Sequence, residues 1–200
     1  MNELNKLIKY SKEYYKKGWM VATAGNLSLL DRKRKQICIT SSGKHKGKLT
    51  KSDFILLYLD SLESVKKTTN KPSAETSIHQ IIYQNIPNAN VVLHVHTVSS
   101  CKLRFGLTRE NSSIRYLLPN IELIKAFGNF SENPNLKMIV TYNHGVVSDI
   151  SKDFEKEILN SPSEVPFFII ENHGITVWGN TVEEANKNLE AVDFILQVMS

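Results

Sequence analysis

The sequence predicts an α/β protein in which a mixed sheet is flanked by helices, within a single domain over residues 1–200. Short segments rich in β-branched residues alternate with segments whose apolar residues recur at helical spacing. The strands come early as hairpins and later alternate with helices, which favours a mixed sheet. A hydrophobic content of 41% supports a sizeable core, and no linker, repeat or low-complexity tract divides the chain.

The first part of the chain is predicted to form one helix and three strands. Apolar residues at helical spacing indicate a helix over residues 3–17, which Gly18 ends. Loops of small polar residues are expected at 23–28, leading into the first strand, and at 40–43, after the second. The three strands are expected at 27–30, 37–40 and 54–59.

The rest of the chain is predicted to alternate helices and strands. Ser73 is a good N-cap for a helix with a buried stripe of isoleucines. Thr181 and Glu184 form a capping box that opens the final helix, and residues 106–118 show no clear pattern. Further helices are expected near residue 99 and at 121–127 and 151–159. Further strands are expected at 91–96, 137–142, 166–170 and 175–178.

Histidines are the strongest candidates for chemistry. His94 and His96 lie two apart on a predicted strand, so their imidazoles project from the same face and can bind one metal ion. Alternatively, each is a satisfied core histidine. A third imidazole would complete the pattern of a catalytic zinc site. His173 and His144 both lie in an Asn-His-Gly sequence, and spacing alone does not separate them.

Carboxylates and small polar residues could complete such a site. Glu75 and Glu122 each lie at the start of a predicted helix, where an acid either moves a proton near the metal or only complements the helix dipole. His45, in a lysine-rich loop, and His79, inside a helix, are expected to be solvated or structural. Four residues that are each ordinary in a turn could together bind a phosphate through hydroxyls and backbone N–H groups. They are Asn26, Ser42, Gly43 and Ser73.

The charge pattern favours a small anionic substrate over a nucleic acid. The net charge is +5, and basic residues concentrate at 32–35 and 44–51. No motif of basic and aromatic residues typical of a nucleic-acid module accompanies them. The two cysteines, Cys38 and Cys101, are expected to be free thiols in a reducing compartment. We expect a cytoplasmic protein with no membrane partner, because no apolar run reaches the roughly 20 residues that span a bilayer and the N-terminus lacks a signal-peptide pattern.

Five motifs, in this order, resemble those of the class II aldolase/adducin family. Five ordered motifs are far more specific than one, and with the flanking helices the resemblance covers nearly the whole chain. It implies a three-layer α/β/α domain with a mixed, mostly antiparallel central sheet, and a homotetramer whose sites lie at subunit interfaces. The motifs are residues 23–28 (TAGNLS), 39–43 (ITSSG), 71–76 (KPSAET), 94–96 (HVH) and 171–174 (ENHG).

The resemblance also implies the ligands of the site. It implies one Zn²⁺ per subunit and places His144 outside the site. Ala74 occupies a position where the aldolases have a second phosphate-binding serine, so the phosphate would also depend on a lysine from Lys44, Lys46 or Lys71. The implied zinc ligands are His94, His96 and His173. The implied phosphate ligands are Asn26, Ser42, Gly43 and Ser73.

Within the family, the chain most resembles the dehydratases that act on 5-methylthioribulose 1-phosphate in methionine salvage. The residues that carry this resemblance are 18–26, 41–49 and 93–98, whereas 111–120 fits the pattern poorly. The implied reaction is a zinc-dependent loss of water that yields 2,3-diketo-5-methylthiopentyl 1-phosphate. Of the two acids, we favour Glu122 for proton transfer and Glu75 as a neighbour of the resting zinc.

Other functions remain open at this point. A class II sugar-phosphate aldolase or epimerase, such as fuculose-1-phosphate aldolase, would use the same metal and phosphate sites and differ only in the bond that changes. A non-catalytic interaction module of the adducin type is a more distant alternative, since all three histidines are present.

Overall fold

A computed structural model describes residues 2–200, and in this part of the chain eight strands form one sheet. The sheet order is β3-β2-β1-β4-β8-β7-β6-β5, and only the β6–β7 pair is parallel. The predicted mixed, mostly antiparallel sheet is therefore confirmed. The strands are β1 (Asn26–Asp31), β2 (Gln36–Thr40), β3 (Phe54–Tyr58), β4 (Val91–Val95), β5 (Ser113–Leu117), β6 (Lys137–Thr141), β7 (Phe167–Ile170) and β8 (Gly174–Gly179).

Helices cover both faces of the sheet, which confirms the three-layer architecture. Leu93 of β4 belongs to an apolar cluster with α1 and α5, whereas its neighbour Val92 belongs to a second cluster with α2 and α4. This division follows from the alternation of side chains along a strand. The helices are α1 (Glu3–Lys16), α2 (Thr76–Asn85), α3 (Val98–Lys102), α4 (Val147–Asn160) and α5 (Val182–Met199).

The register of the central strands places three polar side chains abreast. Asn26 of β1 pairs with His94 of β4, which in turn pairs with Thr176 of β8. Ser28, two residues after Asn26, lies on the same face. Helix α2 covers this face of the sheet, so polar side chains of α2 and of β1, β4 and β8 meet there.

One predicted helix start is wrong. Helix α2 begins at Thr76 with Glu75 as its N-cap residue, so Ser73 is not the N-cap. Ser73 instead lies in the preceding turn, where its hydroxyl accepts a hydrogen bond from the Glu75 N–H at 3.4 Å. The hydroxyl therefore supports the approach to the helix and leaves Glu75 at the helix entrance.

Other differences lie at weakly patterned boundaries. Helix α4 begins at Val147, four residues earlier than predicted from its amphipathic part. The segment without a clear pattern contains the edge strand β5, whose side chains are half-buried or exposed and include the polar Ser113 and Arg115. Residues 122–127 form a 3-10 helix, which Gly128 ends with a φ of 82°. An edge strand lacks the apolar alternation that marks buried strands.

Two further features are the state of the cysteines and the apolar character of the helices. Cys38 and Cys101 are both free, as expected. Among the helices formed by residues 2–200, none has the length and apolar character required to cross a membrane.

The core on the α2 and α4 face gives a stability prediction. Phe154 is fully buried and stacks on Phe168 with ring centroids 4.1 Å apart. We expect Phe154→Ala to reduce the free energy of unfolding by about 3–5 kcal/mol, because it leaves a cavity in a packed layer. Urea unfolding measures the change. Phe130→Ala is the control, because its ring is 75% exposed, and equal losses in the two variants would contradict this account of the core.

Candidate metal centre and active site

Three histidines come together at one end of the central strands. The rings of His94, His96 and His173 have centroids 4.8–5.1 Å apart and are nearly perpendicular to one another. Their ligand atoms all lie within 4.8 Å of one another, and the Nε2 atoms of His94 and His96 are 2.9 Å apart. The structure therefore brings together the three histidines that the resemblance implied as metal ligands.

Local structure explains how each ring reaches this point. His94 lies on β4 and His96 directly follows that strand, so both rings project from one face. His173 lies in the tight connection between β7 and β8. A Cβ atom at the next residue, Gly174, would lie 2.8 Å from the His96 ring and 2.5 Å from the Val95 carbonyl oxygen. Only glycine permits this close approach of the connection to β4.

Two further side chains fix the ring orientations. Thr176, opposite His94 in the sheet, lies with its Oγ1 2.9 Å from His94 Nδ1. Asn143 Oδ1 lies 3.0 Å from His173 Nδ1. Contacts of this kind at the nitrogen remote from a metal fix the tautomer and the direction of the ligating nitrogen. Sequence reasoning missed both residues, because their roles depend on strand register and loop position.

The histidines are suited to bind a divalent metal. Burial lowers the pKa of His94 to about 3 and that of His96 to about 4, with the neighbouring imidazoles acting in the same direction. Both rings are therefore neutral near pH 7 and have a free lone pair. Three imidazoles converging on one point, two of them anchored from behind, form a donor set that fits zinc or a similar ion.

Glu75 is the carboxylate that contacts this cluster. Its Oε1 lies 3.1 Å from His173 Nε2 and 3.4 Å from His94 Nε2. The side-chain amide of Asn26 donates a hydrogen bond to its other oxygen, Oε2. Burial raises the pKa of Glu75, but the charges that His94 and His173 carry when protonated, with the hydrogen bonds from His173 and Asn26, outweigh this effect and hold it well below its usual range. Glu75 is therefore an ionised, buried carboxylate at the centre of the site.

Glu122 occupies a different environment. Its side chain is 82% exposed and pairs with Lys125 at 2.9 Å. In the part of the chain that the structure describes, Glu122 makes no hydrogen bond or ion pair with the histidines. The contacts within the protomer thus favour Glu75 as the acid nearest the centre, in contrast to the preference stated from sequence.

Hydrogen bonds between two loops join the residues expected to bind phosphate. The Ser42 N–H donates to the Lys71 carbonyl at 2.9 Å, and the Ser73 N–H donates to the Thr40 carbonyl at 3.2 Å. Gly43, next to Ser42, adopts a left-handed conformation with a φ of 72°. The loop that contains Ser42 and Gly43 therefore lies beside the one that leads into Glu75.

The fourth residue of this set is engaged elsewhere. Asn26 is buried, donates to Glu75 and lies with its Oδ1 2.6 Å from His79 Nε2. One N–H of its amide remains for a further acceptor. A role of Asn26 towards phosphate thus depends on that single remaining donor.

Lys46 is the buried member of the second basic run. Its Nζ donates to the carbonyl oxygens of Thr23 at 2.7 Å and Lys44 at 2.9 Å. Burial lowers its pKa to about 8, although the negative charge of Glu75 acts in the opposite direction. Lys44, in contrast, lies 3.5 Å from Asp53. Lys46 is therefore a cation held by carbonyl groups near the site.

The remaining ionisable residues of interest are His144, Glu171 and His79. His144 lies 2.6 Å from Asp153 and is outside the cluster of histidines. Glu171, buried beside His173, accepts hydrogen bonds from three successive backbone N–H groups at 105–107 and so fixes that loop. His79, expected to be solvated or structural, is fully buried and contacts Asn26. Its position four residues after Glu75 is the sequence signal for this contact, since both lie on one side of a helix.

Comparison with known proteins places these features in a family. Residues 5–200 match the model of the Class II Aldolase and Adducin N-terminal domain. A Methylthioribulose-1-phosphate dehydratase from Leptospira biflexa serovar Patoc is 47% identical over 203 residues, which cover 100% of this chain and 97% of the relative. A protein of the same name from Microcystis aeruginosa is 37% identical over 194 residues, covering 96% and 92% of the two chains.

Solved structures agree on the fold. The structure is similar to that of an L-fuculose 1-phosphate aldolase, with a TM-score of 0.77 and 22% sequence identity. The match covers 98% of this chain and 84% of that chain. At this identity the likeness shows the fold alone.

The metal centre gives a prediction that separates the two Asn-His-Gly histidines. We expect purified protein to contain about one equivalent of divalent metal, and His173→Ala to lose most of it because one of three imidazole ligands is removed. His144→Ala is the matched control and should keep its metal, since His144 pairs with Asp153 outside the cluster. Elemental analysis by mass spectrometry measures the content. Loss of metal in His144→Ala, with retention in His173→Ala, would contradict the assignment.

Proposed function

We infer that this chain, which belongs to the class II aldolase and adducin family, is a lyase that removes water from 5-methylthioribulose 1-phosphate. The observation that carries this inference is the 47% identity, over the whole chain, to a relative named as this dehydratase. The histidine cluster with its buried carboxylate supports it, because the reaction needs stabilisation of negative charge and a group that moves a proton.

We propose that the metal is zinc and that His94, His96 and His173 hold it. When bound, the metal would supply a Lewis acid for the substrate's carbonyl oxygen. In the proposed reaction, C3 of the ketopentose loses a proton and C4 loses its hydroxyl group as water. The resulting enol becomes the 2,3-diketone, and no oxidation or reduction occurs overall. The protein therefore has to accept one proton from C3 and supply one to the departing hydroxyl.

Glu75 is proposed to move a proton at this centre. It is ionised and lies within 3.1–3.4 Å of two of the histidines, so it can accept a proton from a substrate atom bound beside them. Glu122 stays a candidate for the second proton transfer. Its exposure means that it would have to act at a surface that the substrate or a neighbouring subunit reaches.

The substrate phosphate is proposed to bind at the junction of the two hydrogen-bonded loops. Lys46 would add positive charge, because its buried ammonium has only carbonyl partners within residues 2–200. A phosphate would compensate the burial of that charge, and charged hydrogen bonds are stronger than neutral ones. The proposed ligands are Asn26, Ser42, Gly43 and Ser73, with Lys46.

Biological context is proposed from the family resemblance. We propose that the enzyme acts in methionine salvage, in the cytoplasm, as a homotetramer with sites at subunit interfaces. Large apolar side chains at the protomer surface support association, since burial between subunits would remove them from water. They include Val98, Val146, Phe194 and Val198.

A sugar-phosphate aldolase is the second candidate. The structure is similar to that of an L-fuculose 1-phosphate aldolase, and the same metal and phosphate sites would serve an aldolase reaction. An aldolase would break the C3–C4 carbon bond, whereas a dehydratase breaks the C4–O bond and keeps the carbon chain intact.

Product analysis tests the two functions. Metal-loaded protein with 5-methylthioribulose 1-phosphate is expected to give a diketone that retains all substrate carbons, followed by its absorbance and by ¹³C NMR. Shorter carbon fragments would favour the aldolase. Absence of any product, in protein that contains stoichiometric metal, would contradict the dehydratase assignment.

The two acids can be separated by matched substitutions. We expect Glu75→Gln to lower kcat by about 100-fold or more, since it removes a proton acceptor from the centre. Glu122→Gln preserves size in the same way and is expected to cause the smaller loss. Steady-state kinetics with metal content measured in parallel is the readout. A larger loss in Glu122→Gln would assign the principal proton transfer to Glu122 and reverse this proposal.

A lysine pair tests the phosphate site. We expect Lys46→Gln to raise KM about 10- to 100-fold, because a charged hydrogen bond is worth about 1.5–3 kcal/mol. Lys44→Gln, whose native side chain faces Asp53, should change KM little. Inorganic phosphate as a competitive inhibitor provides a second readout. Equal effects of the two substitutions would show that Lys46 has no special role.

A further inference from the structure

A continuous chain of buried side chains begins at Glu75 and runs away from the metal centre. Asn26 joins Glu75 to His79, with 2.6 Å between Asn26 Oδ1 and His79 Nε2. Ser28 Oγ lies 2.6 Å from His79 Nδ1 and 2.6 Å from the Tyr83 hydroxyl. All five side chains are buried. The proposed mechanism assigns no role to the last three members.

Two regular spacings assemble this chain. Asn26 and Ser28 lie two residues apart on β1 and so face α2 together. His79 and Tyr83 lie four residues apart on α2, with Glu75 four residues before His79 at the helix N-cap. One residue from each turn of α2 therefore faces β1, and the hydrogen bonds run alternately from helix to strand and back.

The chemistry of the groups gives the chain one direction. An ionised carboxylate only accepts hydrogen bonds, so Asn26 donates through Nδ2 and its Oδ1 faces His79. Burial lowers the pKa of His79 to about 4, so near pH 7 this ring has one N–H. That hydrogen must be on Nε2, because Asn26 Oδ1 can only accept. Nδ1 then accepts from Ser28, and Ser28 accepts from Tyr83.

We propose that His79 is a positioning residue, which fixes the Asn26 amide so that Asn26 holds Glu75 with Oε1 directed at His94 and His173. The effect on catalysis rests on the proposed dehydratase function, whereas the positioning itself does not. If the ring lost its Nε2–H, the Asn26 amide could rotate and present its oxygen to the carboxylate. Two acceptors would then face each other, and Glu75 would turn from the centre.

NMR of the wild-type protein tests the positioning without a substrate. In ¹⁵N-labelled protein near pH 7, His79 is expected to be a neutral Nε2–H tautomer whose proton exchanges slowly with solvent. The Nδ1–H tautomer or an imidazolium would overturn the proposed direction. The side-chain amide protons of Asn26 should exchange slowly in wild type and faster in His79→Phe. His144→Phe is the control and should leave them unchanged; unchanged exchange in His79→Phe would also overturn the proposal.

Kinetics test the consequence for Glu75. His79→Phe keeps a ring but removes both nitrogens, and we expect kcat to fall about 10-fold or more with KM within about threefold, since positioning errors affect the reacting geometry. His79→Gln restores a donor and an acceptor and should recover part of the loss. In a Glu75→Gln background, His79→Phe should cost little more, because both changes act on one group.

The outcomes are distinct. An unaltered kcat in His79→Phe, or a loss that adds fully to that of Glu75→Gln, would show that His79 does not act through Glu75. If His79→Phe does not fold, Ser28→Ala replaces it with the same expected changes in smaller measure, since it removes the hydrogen bond that holds the His79 ring at Nδ1. If wild type has no dehydratase activity, the proposed function fails, and the NMR result still decides the positioning.

Discussion

A buried negative charge is the constraint on which the site depends. Glu75 is held between the imidazoles of His94 and His173 and the amide of Asn26, at a position that water hardly reaches. An isolated carboxylate at such a place is costly, so its ionised form requires donors that point at it. Asn26 supplies one at Oε2, and the cluster of histidines lies at Oε1. A divalent cation at the imidazoles would add further compensation, which links metal binding to the ionisation of the acid.

The sheet register provides these donors at fixed positions. The pairing of β1, β4 and β8 sets Asn26, His94 and Thr176 side by side, and the approach of Gly174 to β4 brings His173 to the same end. Helix α2 packs on this face of the sheet and contributes Glu75, at its N-cap, and His79. Because these groups come from rigid elements, their separation is set by backbone hydrogen bonds more than by side-chain freedom.

Part of the metal site could be predicted from the alternation of side chains along a strand. Alternation along one strand was sufficient to put the rings of His94 and His96 together. Local sequence could not choose between His144 and His173, because both follow an asparagine and precede a glycine; the family resemblance made that choice, and the distinction in space comes from Asp153.

Other features depend on tertiary contacts that no local pattern encodes. The half-exposed edge strand β5 has too little apolar alternation to be recognised. Ser73 has an N-cap's composition, yet the helix starts three residues later because the chain there is hydrogen-bonded to the Thr40 carbonyl. His79 was expected to be solvated or structural; its spacing from Glu75 puts both on one side of α2, but the contact with Asn26 depends on the packing of α2 on β1.

Anomalous diffraction from crystals of the zinc-loaded protein shows which residues hold the metal. We expect one peak per subunit at the zinc edge, among His94 Nε2, His96 Nε2 and the His173 ring, with the Glu75 carboxylate beside it. A peak at His144 and Asp153, or none at the three histidines in protein that contains zinc, would contradict it.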